Sequence, residues 1–62
     1  MDYVFEVYDT ADRKRWRWRF RSKDGTEVLL SLAGFDGVKE AVTDAEETRR
    51  LLGLAKVRIV PR

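Results

Sequence analysis

The sequence predicts an α+β domain: a three-stranded antiparallel meander, one helix packed on its aromatic face and a short C-terminal strand, completed as a homodimer. Three observations predict it. Arg15-Trp16-Arg17-Trp18-Arg19-Phe20-Arg21 alternates basic and large aromatic residues, the period-2 pattern of a strand with two unlike faces. Turn-rich stretches at 9–14 and 22–26 separate this strand from two further apolar segments. Between Val38 and Leu52, small apolar residues recur at helical spacing.

A chain of 62 residues holds one domain, residues 1–62, and only a thin core. It has no cysteine and no histidine, so disulfides, thiolate metal sites, imidazole ligands and the usual neutral-pH general base are excluded. Oligomerisation is the remaining way to reinforce so small a core. No apolar run approaches the roughly 20 residues that span a bilayer. The acidic start, Met1-Asp2-Tyr3-Val4, is unlike a signal peptide, so a soluble, cytoplasmic protein is expected.

Tyr3-Val4-Phe5-Glu6-Val7-Tyr8 forms the first predicted strand, with Tyr3, Phe5 and Val7 on one face. Pairing Phe5 with Trp18 and Val7 with Trp16 aligns the aromatic sets and sets Glu6 against Arg17 and Tyr8 against Arg15. After the arginine strand, a three-residue Lys23-Asp24-Gly25 turn with Gly25 left-handed pairs Phe20 with Val28, Trp18 with Leu30, Trp16 with Leu32 and Arg21 with Glu27. A two-residue Asp-Gly loop would mix the faces. The third strand is expected over Thr26–Leu32.

Val38, Ala41, Val42, Ala45, Thr48 and Leu52 then mark the helix stripe, with Asp36 as N-cap and Gly53-Leu54 as a left-handed stop. A later start at Thr43-x-x-Glu46, which mimics a capping box, is the alternative. Small residues on the stripe let the helix sit close over the bulky rings. The predicted core is Phe5, Val7, Trp16, Trp18, Phe20, Val28, Leu30, Ala41 and Ala45. Lys56–Val60 reads as a fourth strand stopped by Pro61. Its partner, the same sheet or a second subunit, stays open.

Phe5-Glu6-Val7-Tyr8, Arg17-Trp18-Arg19-Phe20 with Asp24-Gly25 following, and Gly34-Phe35 before a helix of small residues together resemble the YegP-like family, over roughly residues 3–52. The sequence departs from the family pattern at three places. Trp16 stands where a Tyr is usual, the first turn is one residue longer, and Asp36-Gly37 replaces a Ser-containing helix start. The resemblance implies a βββα(β) repeat, found in tandem or as a homodimer of single-repeat chains. It implies no activity, cofactor or catalytic residue.

The net charge of +2 conceals a segregation. Residues 13–23 carry seven basic groups (Arg13, Lys14, Arg15, Arg17, Arg19, Arg21 and Lys23) and no acid, while the other residues carry six basic and eleven acidic groups. A row of guanidiniums about 6.6 Å apart suits a phosphate backbone or the carboxylates of a partner subunit. Asp9, Asp12, Glu46 and Glu47 lack metal-ligand spacing and a partner base, and no glycine loop suits a phosphate. The expectation is therefore a non-enzymatic structural or interaction module that works as a homodimer, with no metal or other cofactor. The alternative is sequence-independent nucleic-acid binding through Arg15, Arg17, Arg19 and Arg21, with Arg13 and Lys14 beside them.

Overall fold

The computed structural model describes residues 2–10, 15–31 and 33–61. Five elements follow one another: β1 (Tyr3–Thr10), β2 (Arg15–Ser22), β3 (Glu27–Leu30), α1 (Val38–Leu51) and β4 (Arg58–Pro61). They form one mixed sheet in the order β3-β2-β1-β4. The meander is antiparallel, and β4 returns beside β1 in parallel, pairing Val4 with Arg58 and Phe5 with Ile59. The fourth strand therefore completes its own sheet.

The alternation in β1 and β2 divides the side chains as expected, but the register lies two residues from the expected one. Phe5 faces Phe20, Glu6 faces Arg19, Val7 faces Trp18 and Tyr8 faces Arg17. A slip of two leaves every side chain on its own face, so hydrophobic alternation does not distinguish the two pairings. Polar contacts close the observed one. The Thr10 hydroxyl donates to the Arg15 carbonyl at 2.9 Å, and the Lys23 N–H extends the ladder to the Asp2 carbonyl at 2.9 Å.

The second hairpin turns as its sequence requires. Gly25 has φ +101, its N–H bonds to the Ser22 carbonyl at 3.0 Å, and Arg21 pairs with Glu27. A bulge then shifts the ladder by one, so that Phe20 faces Leu29 and Arg19 faces Leu30. Val28 and Leu30, expected in the core, are 57% and 48% exposed. Leu32, the expected partner of Trp16, lies outside the described residues. Trp16 instead exchanges backbone hydrogen bonds with Phe35, at 2.8 and 2.7 Å.

The helix begins one residue later than the expected cap. Gly37, in extended conformation, occupies the N-cap position without a side-chain bond, while Asp36 projects toward Arg15 at 3.6 Å. The later start at Thr43 is not realised: its hydroxyl donates to the Lys39 carbonyl inside the helix. At the other end Gly53 (φ +69) bonds to the Arg50 carbonyl and Leu54 to the Arg49 carbonyl, a double-bonded left-handed stop. Glu40 in the first turn and Arg49 and Arg50 in the last complement the helix dipole.

Ala41 and Ala45 of α1 are fully buried against Phe5, Val7, Trp18 and Phe20, and these six make the core. Trp16 packs half-buried at its margin with Tyr3, Phe35, Val42, Leu54, Val57 and Ile59. Leu52, placed on the helix stripe by its spacing, is 52% exposed, past the last turn that touches the sheet.

One bond fixes helix to sheet. The Trp18 indole N–H donates to Asp44 Oδ2 at 2.6 Å, from the middle of β2 to the middle of α1. A buried Trp needs an acceptor for its N–H, and a carboxylate is a strong one. The Trp18→Ala variant is expected to lose about 3–5 kcal/mol through the cavity it leaves, enough to unfold a domain of this size. Circular dichroism with urea titration checks this; a variant that keeps the wild-type midpoint would show that Trp18 is not the centre of the core.

Candidate functional site

The register gives the sheet one covered face and one open face. On the open face lie Arg15, Arg17, Arg19 and Arg21 of β2, Val4, Glu6 and Tyr8 of β1, Arg58 and Val60 of β4, and Leu30 of β3. Arg13 and Lys14 lie outside the described residues. The four arginines of β2 do not share one environment.

Glu6 sits at the centre and is only 3% exposed. Its Oε1 accepts from Arg19 Nε at 2.5 Å and from Arg21 Nε at 3.1 Å. Arg19 also reaches Glu27 at 3.1 Å and lies over the Tyr8 ring, 4.7 Å from its centroid. Arg21 spends a further N–H on the Ser22 carbonyl. Burial alone would raise the Glu6 pKa, but the hydrogen bonds and charges of Arg19 and Arg21 outweigh it and hold the carboxyl below its ordinary value. Arg19 is correspondingly raised, chiefly by its bond to Glu6. These two arginines neutralise the fold's own acid.

The other two are less committed. Arg15 donates to the Gly34 carbonyl at 3.3 Å and lies 3.6 Å from Asp36, a pair so exposed that it contributes little. Arg17 is half-buried opposite Tyr8 and has no carboxylate partner among the described residues. In the second turn, Asp24 accepts from the Ser22 hydroxyl and from the Thr26 N–H at 3.0 Å, which lower its pKa; these bonds shape the turn.

A second feature lies at the β3 side of the molecule. The helix packs on β1, β2 and β4 but does not reach β3 among the described residues. Val28, Leu29 and Leu30 are 57%, 40% and 48% exposed, on a strand whose outer edge meets no other strand among the described residues. A groove of about 560 Å³ runs between this strand and α1, lined by Trp18, Leu29, Leu30, Ala33, Phe35 and, from the helix, Asp44 and Thr48. Past Phe35 it continues into a second hollow of about 490 Å³ bounded by Lys39, Glu40, Thr43, Asp44 and Glu47.

No group of three or more acidic residues positioned to hold a metal ion occurs among the described residues, and no helix there is long and apolar enough to cross a membrane. Comparison with protein-family models, with curated proteins and with solved structures found no match.

Sequence reasoning located the arginine row and the pairing of Arg21 with Glu27, but it assigned the β1 partners two residues out of register, and it missed Asp44 and the β3 groove. A buried indole in search of an acceptor was the available signal for Asp44, which flanks Ala45 on the packed side of the helix. The groove depends on where the helix ends up over the sheet, and the periodicity of the helix does not encode that.

Because the native pKa of Glu6 is lowered, its contribution to stability is complete above the ordinary glutamate value of 4.5 and is lost as pH falls through the lowered native value. Glu6→Gln should cost about 3 kcal/mol at pH 7, since two arginines lose a buried counter-charge. Urea midpoints from pH 7 to pH 2 should show the gap between wild type and variant closing on acidification; a gap independent of pH would contradict the ionised cluster.

Proposed function

We propose that this chain is a small, non-enzymatic interaction module whose first partner is a second copy of itself, joined along β3 into a homodimer. The observation that carries the reading is the β3 edge, which pairs with no second strand among the described residues and carries three consecutive exposed apolar side chains. Proteins protect exposed edges with charge, proline or a covering element. The opposite edge has such protection, because β4 carries Arg58 and ends in Pro61, which has no N–H to donate. β3 has none of it on its outer side. Its one acid, Glu27, is drawn inward to Arg19.

Antiparallel pairing of β3 with its symmetry mate would continue the sheet across a two-fold axis and satisfy the free edge of both copies. Burying Val28, Leu29 and Leu30 would supplement a core of six side chains, which is what a 62-residue chain needs. The resemblance to YegP-like single-repeat chains supports the same assembly. The absence of histidine and cysteine from the sequence favours binding over catalysis.

Arg17 favours a second reading, sequence-independent contact with a nucleic-acid backbone, because it has no carboxylate partner among the described residues. Two-fold pairing along β3 would place both open faces on the same side of the extended sheet, and phosphate contacts position without specifying sequence.

Sedimentation velocity from low to high micromolar protein tests the assembly. The expected result is a reversible monomer–dimer equilibrium that Val28→Lys shifts to monomer without unfolding the chain. A monomer at every concentration would contradict it. A labelled oligonucleotide in the same cells reads the second proposal: co-sedimentation that weakens steeply with salt and disappears in Arg17→Glu supports it, and no co-sedimentation at low salt removes it.

A further inference from the structure

We propose that the groove between β3 and α1 is a docking site for an extended protein segment in which apolar side chains are interspersed with basic ones. The inference goes beyond self-association. Edge pairing would use the outward backbone of β3, whereas the groove opens on the helix side of the sheet.

The two halves of the groove ask for different chemistry. Trp18, Leu29, Ala33 and Phe35 make an apolar floor on the β3 side, and Leu30, which pairs with Arg19 of the open face, only borders it. Leu29 stays 40% exposed there because the helix does not reach β3 among the described residues. Along the helix, Glu40, Asp44 and Glu47 line the wall beside Lys39, with Glu47 also paired to Arg50 at 2.9 Å on its far side. Asp44 belongs to both halves. One of its oxygens holds the Trp18 indole, and the other has no hydrogen-bond partner among the described residues.

A carboxylate held in place by an indole at the junction of an apolar floor and an acidic wall selects a cation carried beside apolar groups. Lysine or arginine next to leucine or phenylalanine in an extended chain has that form. Successive side chains of such a chain point to opposite sides, so one set can enter the floor while the other reaches the wall. The geometry, a slot between an edge strand and a helix, is one that other folds use for extended peptides. An acidic segment would place like charges together, and the fold's own arginine row lies on the opposite face of the sheet.

The test uses the intact chain and a fluorescein-labelled ten-residue peptide of alternating lysine and leucine, with the glutamate–leucine peptide as its counterpart. Anisotropy gives affinity, and the Trp18 indole N–H resonance, assigned with Trp16→Phe, reports the place of binding. The expected result is saturable binding of the lysine peptide, displacement of the Trp18 resonance, and about fivefold weaker binding to the double variant Glu40→Gln, Glu47→Gln. Both substituted residues are exposed, so the fold is retained. Equal binding of the glutamate peptide would reveal plain apolar adhesion and overturn the proposal. So would an unmoved Trp18 resonance, or no binding at all. Dimerisation measured in the same samples is a separate readout, so either reading can fail alone.

Discussion

Trp18 is the point through which the sheet, the third strand and the helix are held in one arrangement. Its backbone carbonyl accepts from the Ser31 N–H at 2.9 Å, and its N–H donates to the Ser31 hydroxyl at 3.2 Å. Its ring meets Phe5 edge-on at 5.5 Å, and its indole N–H is bound to Asp44. Ser31, one of the two buried polar or charged residues among those described, thus carries the ladder just past the end of β3. Among the described residues six side chains make the core, and Trp18 is the largest of them. The small faces of Ala41 and Ala45 follow from it, because any larger residue would lift the helix off the rings and break the bond to Asp44.

The open face answers a different constraint. A buried carboxylate is costly unless it is paired and hydrogen-bonded. Glu6 meets that condition by drawing Arg19 and Arg21 across it, and the Tyr8 ring lies beneath Arg19. What reads in the sequence as a uniform basic strip is therefore divided. Its centre is an internal ion cluster, and of the four arginines of β2 it is Arg15 and Arg17 that retain capacity for an outside anion. Counting arginines overstates the field of this face, since the acid that offsets it comes from a different strand.

Much of the fold was legible because the chain alternates so strictly. The faces of β1 and β2, the strand order in the meander, the Gly25 turn, the helix and its Gly53 stop all follow from residue type and spacing. The register of the first hairpin did not, because a two-residue slip changes partners without changing faces. The bulge at Val28 was equally silent: an apolar residue in an apolar strand gives no mark of being the extra one, and its exposure follows from the bulge and from the reach of the helix. The partner of β4 stayed open since Ile59 would suit any apolar row, and only the crossover places it beside Phe5. Arg15, Arg17, Arg19 and Arg21 were identified as a set, but their division into paired and available depends on the same register.

These features converge on β3. The helix is anchored over β1, β2 and β4, which leaves the short, apolar edge strand held among the described residues by β2. That strand is the proposed surface through which the chain associates. Hydrogen exchange of the β3 amides, followed as protein concentration rises from micromolar to millimolar, tests this most directly. Protection that grows with concentration at Val28–Leu30, while the β4 edge keeps exchanging at its dilute rate, is the predicted result. Protection in β3 that does not change with concentration, or that grows instead along β4, would contradict it.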